Sequence, residues 1–396
     1  MSFMKKFTKF VSLVLASALV VSSFAACGSK DEGTSSNDSS TGAETFKIGG
    51  IGPSTGGAAA YGLAVKNGIQ LAVDEINAAG GINGVMIEYK FEDDEHNAEK
   101  AVNAYNTLKD WGMQMLIGTT TSAPCTAVVE KSHEDNLFQL TPSATAVESI
   151  QYDNAFRICF SDPSQGTESA KYIGENELAE KVAVIYDSSD VYSSGIYANF
   201  AAEAENQPFE IVAAEAFTAD SKTDFTVQLQ KAKDAGAEMV FLPIYYQEAS
   251  LILTQANKMG YKPSFFGCDG LDGILDVENF DAGLAEGAML LTPFTAGAED
   301  EATQAFVAAY EDAYGEAPIQ FAADAYDCVY AIKAAAEKAG ITPDMSVSDM
   351  CDAMKDAMTE ISIDGLTGSG ITWSEDGEPS KEAKAVVIEN GEYKVM

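Results

Sequence analysis

The stretch FKIGGIGPSTGGAAAYGLAVKNGIQLAVDEINAAGGINGVMIEYKF, residues 46–91, decides the fold. Phe46–Ile51 is a short apolar run that stops at Gly52-Pro53. From Gly62 to Asn77 the apolar residues Leu63, Val65, Ile69, Ala72, Val73 and Ile76 recur at helical spacing, and Gly80-Gly81 ends the run. Val85–Phe91 then alternates apolar and polar positions, the pattern of a strand with one buried face. Strand, helix and strand in immediate succession point to a parallel sheet covered by helices.

The same alternation continues outward. Helical spacing covers Ala98–Trp111 and Pro124–His133, with strands at Met113–Ile117 and Leu137–Leu140. Further strands are expected at Val182–Tyr186, Ile211–Phe217, Met239–Ile244 and Phe265-Phe266, with helices near 165–177, 191–205, 222–235 and 247–259. One strand-helix series therefore ends near Pro163 and a second begins there. Residues 294–372 read as mostly helical, over Thr303–Tyr314, Phe321–Ala339 and Val347–Thr359. A strand-like tail follows at Gly370–Trp373 and Ala385–Ile388. The fold class is α/β, in two lobes. Such lobes offer a ligand the crevice at the carboxyl ends of their strands.

Lys5, Lys6 and Lys9 precede an apolar run from Phe10 to about Val21, shorter than the ~20 residues of a membrane span. This is the pattern of a signal peptide, residues 1–26. Phe24-Ala25-Ala26-Cys27 resembles the lipobox of bacterial lipoproteins, which implies cleavage before Cys27 and acylation of it. Residues 27–44 hold no large apolar side chain and are expected to be a disordered tether to the outer face of the cell membrane. The net charge is −37, and near −40 without the three lysines of the leader, which has no Asp or Glu. Nucleic acid is thereby excluded as a partner, because phosphate binding needs a basic face. Beyond Cys27 the cysteines are 125, 159, 268, 328 and 351, an odd number with no close pairs and no CxxC, so no disulfide framework is expected.

The inventory for catalysis is thin. His96 and His133 both sit in acidic helical contexts, EDDEHN and KSHEDN, and are expected on solvated faces. There is no G-x-S-x-G elbow, no HExxH, no Walker A motif and no Cys/His cluster with zinc spacing. Gly50-Ile51-Gly52 is followed at once by Pro53, and the acidic cluster Glu92–Glu95 lies too far on for a dinucleotide fingerprint. Asp269, Asp272 and Asp276 do not fit a calcium loop. The chain is expected to be no enzyme and to hold no cofactor and no metal.

From Phe46 to Lys394 the chain resembles the leucine/isoleucine/valine-binding protein family of ABC importers. The resemblance rests on GPSTGGAAAYGLAVKNGIQLAVDEINAAGGING at 52–84, FEDD at 91–94, IGTTTSAPCTAVVE at 117–130, TPSATAVESI at 141–150, FRICFSDPSQG at 156–166 and ASLILTQANKMG at 249–260. It implies a type I periplasmic-binding-protein fold: two mostly parallel lobes joined by a three-strand hinge and closing on a small amino acid. Lobe 1 would take residues 45–163 plus 294–372, and lobe 2 residues 164–293 plus 373–396. Partners would be the amino acid and ABC permease subunits, with the protein a monomer.

Carried over residue by residue, the resemblance puts the ligand's α-carboxylate on Ser122 and its main-chain groups on Thr145. The α-ammonium falls on Asp269 and on the backbone carbonyl of Ser143. Aromatic walls fall on Tyr61, Tyr192, Tyr245 and Phe321. Many relatives have Glu where Asp269 stands. The family's first-lobe disulfide has no counterpart, since His96 and Thr121 occupy the matching places. A zwitterion needs both of its charges satisfied when desolvated. A hydroxyl at a helix N-terminus and a carboxylate across from it do that. Plainer structural roles stay open for these residues: Ser122 as a helix cap, Thr145 as the start of a T-x-x-E capping box, Asp269 as a turn residue between glycines, and Tyr246 in place of Tyr245 after a one-residue slip. A branched aliphatic side chain is the family's usual ligand. An amide, a urea or an aromatic acid on the same fold is the alternative, as is a sensor that signals to a membrane receptor.

Overall fold

The computed structural model describes residues 44–396. The signal peptide, Cys27 and the tether up to residue 43 lie outside the described residues. In the first series, strands β1 (Phe46–Gly52), β2 (Ile87–Asp93), β3 (Met115–Gly118) and β4 (Phe138–Thr141) alternate with helices α1 (Ala59–Ala78), α2 (Ala98–Trp111) and α3 (Ser122–Glu134). Strand β5 (Ala155–Arg157) closes it. The five strands form one parallel sheet in the order β2-β1-β3-β4-β5.

The second series runs α4 (Asp162–Glu175), β6 (Lys181–Asp187), α5 (Val191–Ala204), β7 (Glu210–Phe217), α6 (Thr226–Asp234), β8 (Met239–Leu242), α7 (Tyr246–Lys258), β9 (Ser264–Gly267) and β10 (Met289–Thr292). Then follow α8 (Glu301–Tyr314), α9 (Gln320–Ala339), α10 (Val347–Met358), a hairpin β11 (Ile363–Gly365) and β12 (Gly368–Ile371), and finally β13 (Lys384–Glu389) and β14 (Glu392–Val395). The second sheet has the order β14-β13-β10-β9-β8-β6-β7. It is parallel from β7 to β10, and β13 joins β10 antiparallel. The chain passes between the two sheets at 158–161, 293–300 and 372–383.

The helices end where the sequence signals it. Asn97 caps α2 by accepting from the Lys100 amide, and Gly112, with φ of 91°, supplies the left-handed residue that stops it. Helix α9 returns to the first sheet and packs on α1. A Cβ at Gly68 would collide with the Ala322 carbonyl, so glycine there sets how closely α1 and α9 approach. Strands with helices on both faces bury both rows of side chains, which is why β3 and β8 are apolar without alternation and why β4 buries Gln139 and Thr141 along with Phe138 and Leu140. One core cluster includes Ile48, Ile117 and Leu140 from the first sheet together with Val240, Leu242 and Leu290 from the second. Each such side chain, fully buried, contributes roughly 1.5–3 kcal/mol.

Four strands are not foreseen by the sequence pattern: β5, β10, β11 and β14. Two of them are three residues long and all lie beside Gly, Pro or charged residues, which hides any period. The tail is more than one strand, since β13 and β14 make a hairpin that adds an antiparallel edge to the second sheet.

Candidate functional site

The carboxyl ends of β3 and β4 and the turn after β9 converge on a narrow space of about 10 Å³. That is far below the roughly 300–1,000 Å³ of small-molecule pockets, so the walls are drawn nearly together and a ligand enters only as they part. Seven of the residues carried over line it: Tyr61, Ser122, Ser143, Tyr192, Tyr245, Asp269 and Phe321. Thr120, Thr121 and Gly270 also line it and are not singled out by the sequence.

Ser122 is the first residue of α3, and Thr121 is its cap position without a side-chain cap bond. Ser122 Oγ accepts from the amides of Thr145 and Ala146, both at 3.2 Å. Its plainer role as a cap of its own helix therefore does not hold. A hydroxyl that accepts twice still has its proton to donate. That proton sits at the positive end of the α3 dipole, where an anion is favoured.

The 141–146 loop is fastened on all sides. Ser143 Oγ donates to Thr120 O at 2.7 Å, and Ala144 N donates to Thr141 Oγ1 at 3.0 Å. The fully buried guanidinium of Arg157 donates to Thr145 O at 2.5 Å. Thr145 does not start a capping box: the short 3₁₀ turn Val147–Ile150 has Ala146 at its cap, with no side-chain bond. Thr145 Oγ1 is buried behind the cavity wall with no partner of good hydrogen-bond geometry, yet it lies near enough to Asp162 to pull that carboxyl's pKa down.

Asp269 faces this wall from the second sheet. Its Oδ1 accepts from Tyr192 Oη at 2.7 Å, its amide donates to Gln165 Oε1 at 3.0 Å, and its carbonyl accepts from Gln320 Nε2 at 2.9 Å. Burial pushes its pKa up to about 7, against the pull of Tyr192 and Gln165 and with a push from Asp324. Asp269 makes no salt bridge among the described residues. A buried carboxyl in that state gains from an arriving cation.

Four aromatic rings complete the box. Tyr192 stacks on Tyr245 at 4.8 Å and Tyr61 on Phe321 at 4.2 Å, with Tyr61 and Tyr245 edge to face at 5.6 Å. Burial drives the hydroxyl pKa values of Tyr61, Tyr192 and Tyr245 well above the ordinary one, so all three stay neutral. The ring at 245, not 246, faces the cavity.

One residue differs from its sequence reading, and another has none. His96 is not on a solvated helix face. It precedes α2 with φ of 55°, is half-buried against Tyr245 at 5.4 Å, and has its pKa lowered to about 4 by burial and by Lys222. Asp162 is a functional candidate that the sequence hides. Ser161 does the capping of α4, and the Asp162 carboxyl turns inward, 2% exposed, with Oδ1 unpartnered and its pKa raised by burial and by Asp269. In sequence, S-D-P reads only as a helix start. His133 does lie exposed, stacked on Tyr152. The five described cysteines are all buried and free.

Among the described residues no group of three or more His, Cys, Asp or Glu could hold a metal, and no helix is long and apolar enough to cross a membrane.

Comparison with known proteins adds relatives to this geometry. The sequence profile of the periplasmic binding protein family matches residues 45–392. The "Leu/Ile/Val-binding protein homolog 3" of Brucella melitensis is 32% identical over 340 residues, 84% of this chain and 88% of that protein. The leucine-, isoleucine-, valine-, threonine- and alanine-binding protein of Pseudomonas aeruginosa is 31% identical over 300 residues, 75% of this chain and 79% of that one. The branched-chain amino acid transporter substrate binding protein LivJ of Streptococcus pneumoniae, solved with isoleucine, superposes with a TM-score of 0.80 at 31% identity, over 89% of this chain and 99% of that one. With two helix-covered sheets meeting at an enclosed polar and aromatic cavity, and a profile match over nearly all the described residues, the chain belongs to the periplasmic binding protein family.

Proposed function

We propose that this protein is the extracytoplasmic substrate-binding component of an ABC importer and captures a branched-chain aliphatic amino acid. The observation that carries this reading is the pairing of Ser122 at the α3 N-terminus with the buried, cation-free Asp269, across a space walled by four aromatic rings. Ser122 and the α3 amides take the carboxylate. Asp269 and the Ser143 carbonyl take the ammonium, and Thr145, carried over as a ligand contact but lying behind the wall, acts by donating its amide to Ser122 Oγ. Tyr61, Tyr192, Tyr245 and Phe321 wall the side chain. A few charge-assisted hydrogen bonds of roughly 1.5–3 kcal/mol each, with apolar contact, reach a micromolar Kd.

The two lobes, 45–163 with 294–372 and 164–293 with 373–396, close over the ligand about the three connecting strands. The ligand favours closure by its differential contacts in the closed form. The closed monomer then docks on its permease. Cys27, acylated, tethers it to the outer face of the membrane. Membrane fractionation of wild type and Cys27→Ala tests the anchor, and equal release of both refutes it.

Thermal unfolding of residues 27–396, with Cys27 replaced by Ala, against the common amino acids tests the ligand. Leucine, isoleucine or valine at 100 times its Kd is expected to stabilise by roughly 2.7 kcal/mol. Asp269→Ala is expected to lose the shift while keeping the fold. No shift with any amino acid, after refolding to strip copurified ligand, refutes the amino-acid reading in favour of an amide, a urea or an aromatic acid.

A further inference from the structure

Helices α1 and α7 meet end to end across the cleft, and neither caps itself. The cap position of α1 is Ala58 and that of α7 is Tyr245, and neither makes a side-chain cap bond. The first amides of a helix have no partner within it. Here one such amide of each helix finds its partner on the opposite helix. The amide of Ala60, in the first turn of α1, donates to Tyr246 Oη at 3.2 Å. The amide of Tyr246, first residue of α7, donates to Tyr61 Oη at 3.1 Å. Tyr61 Oη in turn donates to Gly270 O at 2.5 Å. The two rings meet edge to face, centroids 4.9 Å apart and planes at 79°. Both rings are buried, yet Tyr246 is not part of the cavity wall.

We propose that Tyr246 is a positioning residue of the binding site: it and Tyr61 cap each other's helices across the cleft and so hold the two lobes closed. This rests on the reading that the lobes close over an amino acid. All the partners are protein atoms, so the reciprocal cap favours closure with or without ligand. Opening must expose two helix-terminal amides and two tyrosine hydroxyls. Each hydroxyl also sits where a helix dipole favours an acceptor. The apparent affinity for a ligand scales with the fraction of protein already in the competent form. Tyr246 therefore sets affinity without touching the ligand.

The test compares the full-length protein with Tyr246→Phe, which keeps the ring and removes one acceptor. Three quantities are read: hydrogen exchange of the Ala60 amide, the radius of gyration without ligand, and leucine dissociation. In wild type the Ala60 amide exchanges slowly. In the variant it exchanges at least about tenfold faster, the ligand-free radius of gyration rises, and leucine binds about three- to tenfold more weakly, chiefly through faster dissociation. An unprotected Ala60 amide in wild type overturns the proposal. So does a variant in which that amide opens while size and leucine dissociation stay as in wild type, the result of a purely local cap. If wild type binds no leucine, the preceding reading of function fails, and exchange and radius of gyration alone decide the cap.

Discussion

His96 Nδ1 lies 2.9 Å from Thr121 Oγ1. The imidazole, kept neutral by its pKa of about 4, thus ties the turn before α2 to the cap position of α3, one residue from Ser122. The resemblance drawn from the sequence matches these two positions to a first-lobe disulfide of the leucine/isoleucine/valine-binding family. A hydrogen bond here takes the place of a covalent staple. The double substitution His96→Cys, Thr121→Cys is therefore expected to close a disulfide on mild oxidation. A loop of this length typically gains about 2–4 kcal/mol from one. Thiol titration in denaturant checks it: the oxidised double variant should show no more thiols than wild type, and two additional ones would rule the bridge out.

Asp269 makes the ligand-free protein less stable than it could be. Its folded pKa, about 7, lies above the unfolded value near 3.8, so the folded state binds more protons between those limits. Stability from this group then falls as pH rises from about 4 to about 7, and the cost is complete above 7. Asp269→Asn removes the charge and keeps the shape. The variant is expected to be more stable than wild type by up to about 4 kcal/mol at pH 8 and by little at pH 4, while binding no amino acid. Urea unfolding at both pH values measures this, and an equal difference at the two would contradict it.

The same carboxyl makes ligand binding depend on pH. An ammonium beside Asp269 lowers its pKa, so binding releases a proton wherever the free carboxyl holds one. Leucine affinity is expected to be level above about pH 7 and to fall below it, approaching about tenfold per pH unit. The imidazole of His96 stays neutral and the buried tyrosines stay protonated through this range. Asp162, pushed well above the ordinary carboxylate value by burial and by the Asp269 charge, shares that proton, and Asp190, raised to about 6 by burial and by Asp187, titrates lower down. Titration calorimetry at pH 6 in buffers of different ionisation heat counts the proton directly, and none released would refute the pairing.

The fold was legible where periodicity and punctuation agree. The βαβ opening, the Asn97 and Gly112 ends of α2, and the apolar runs of β3 and β8 all follow from local rules. The site was legible only through resemblance, because Ser122, Ser143 and Asp269 are unremarkable polar residues in sequence and become a site when three separate turns meet. Where geometry depends on contacts far along the chain, sequence reading went astray or was silent. His96 takes a left-handed backbone that no helical pattern announces. Asp162 passes unnoticed in S-D-P, and its carboxyl is free to turn inward because Ser161 already caps the helix. Arg157 and Lys381 are the kind of residue expected outside, and they are buried by partners more than 200 positions away.

Lys381 and Asp324 form an ion pair at 2.6 Å whose side chains are 0% and 3% exposed. Lys381 lies on the third passage between the sheets. Its Nζ also donates to Ile158 O, at 2.9 Å, on the first passage. The Asp324 carboxyl is raised to about 6 by burial, with Lys381 pulling it back down. Lys381→Met leaves that carboxyl buried and alone, which costs about 3–5 kcal/mol at neutral pH. The cost should shrink as pH falls toward about 6, because without the lysine to pull its pKa down Asp324 takes up a proton above that value and no longer needs the cation. Adding Asp324→Leu removes the uncompensated charge, and the double variant is expected to recover most of the loss or to exceed wild type. Urea unfolding of the single and double variants at pH 5 and pH 8 reads the cycle. A double variant no better than Lys381→Met would mean that the lysine's bond to Ile158 O, and not its pairing with Asp324, carries the stability of this passage.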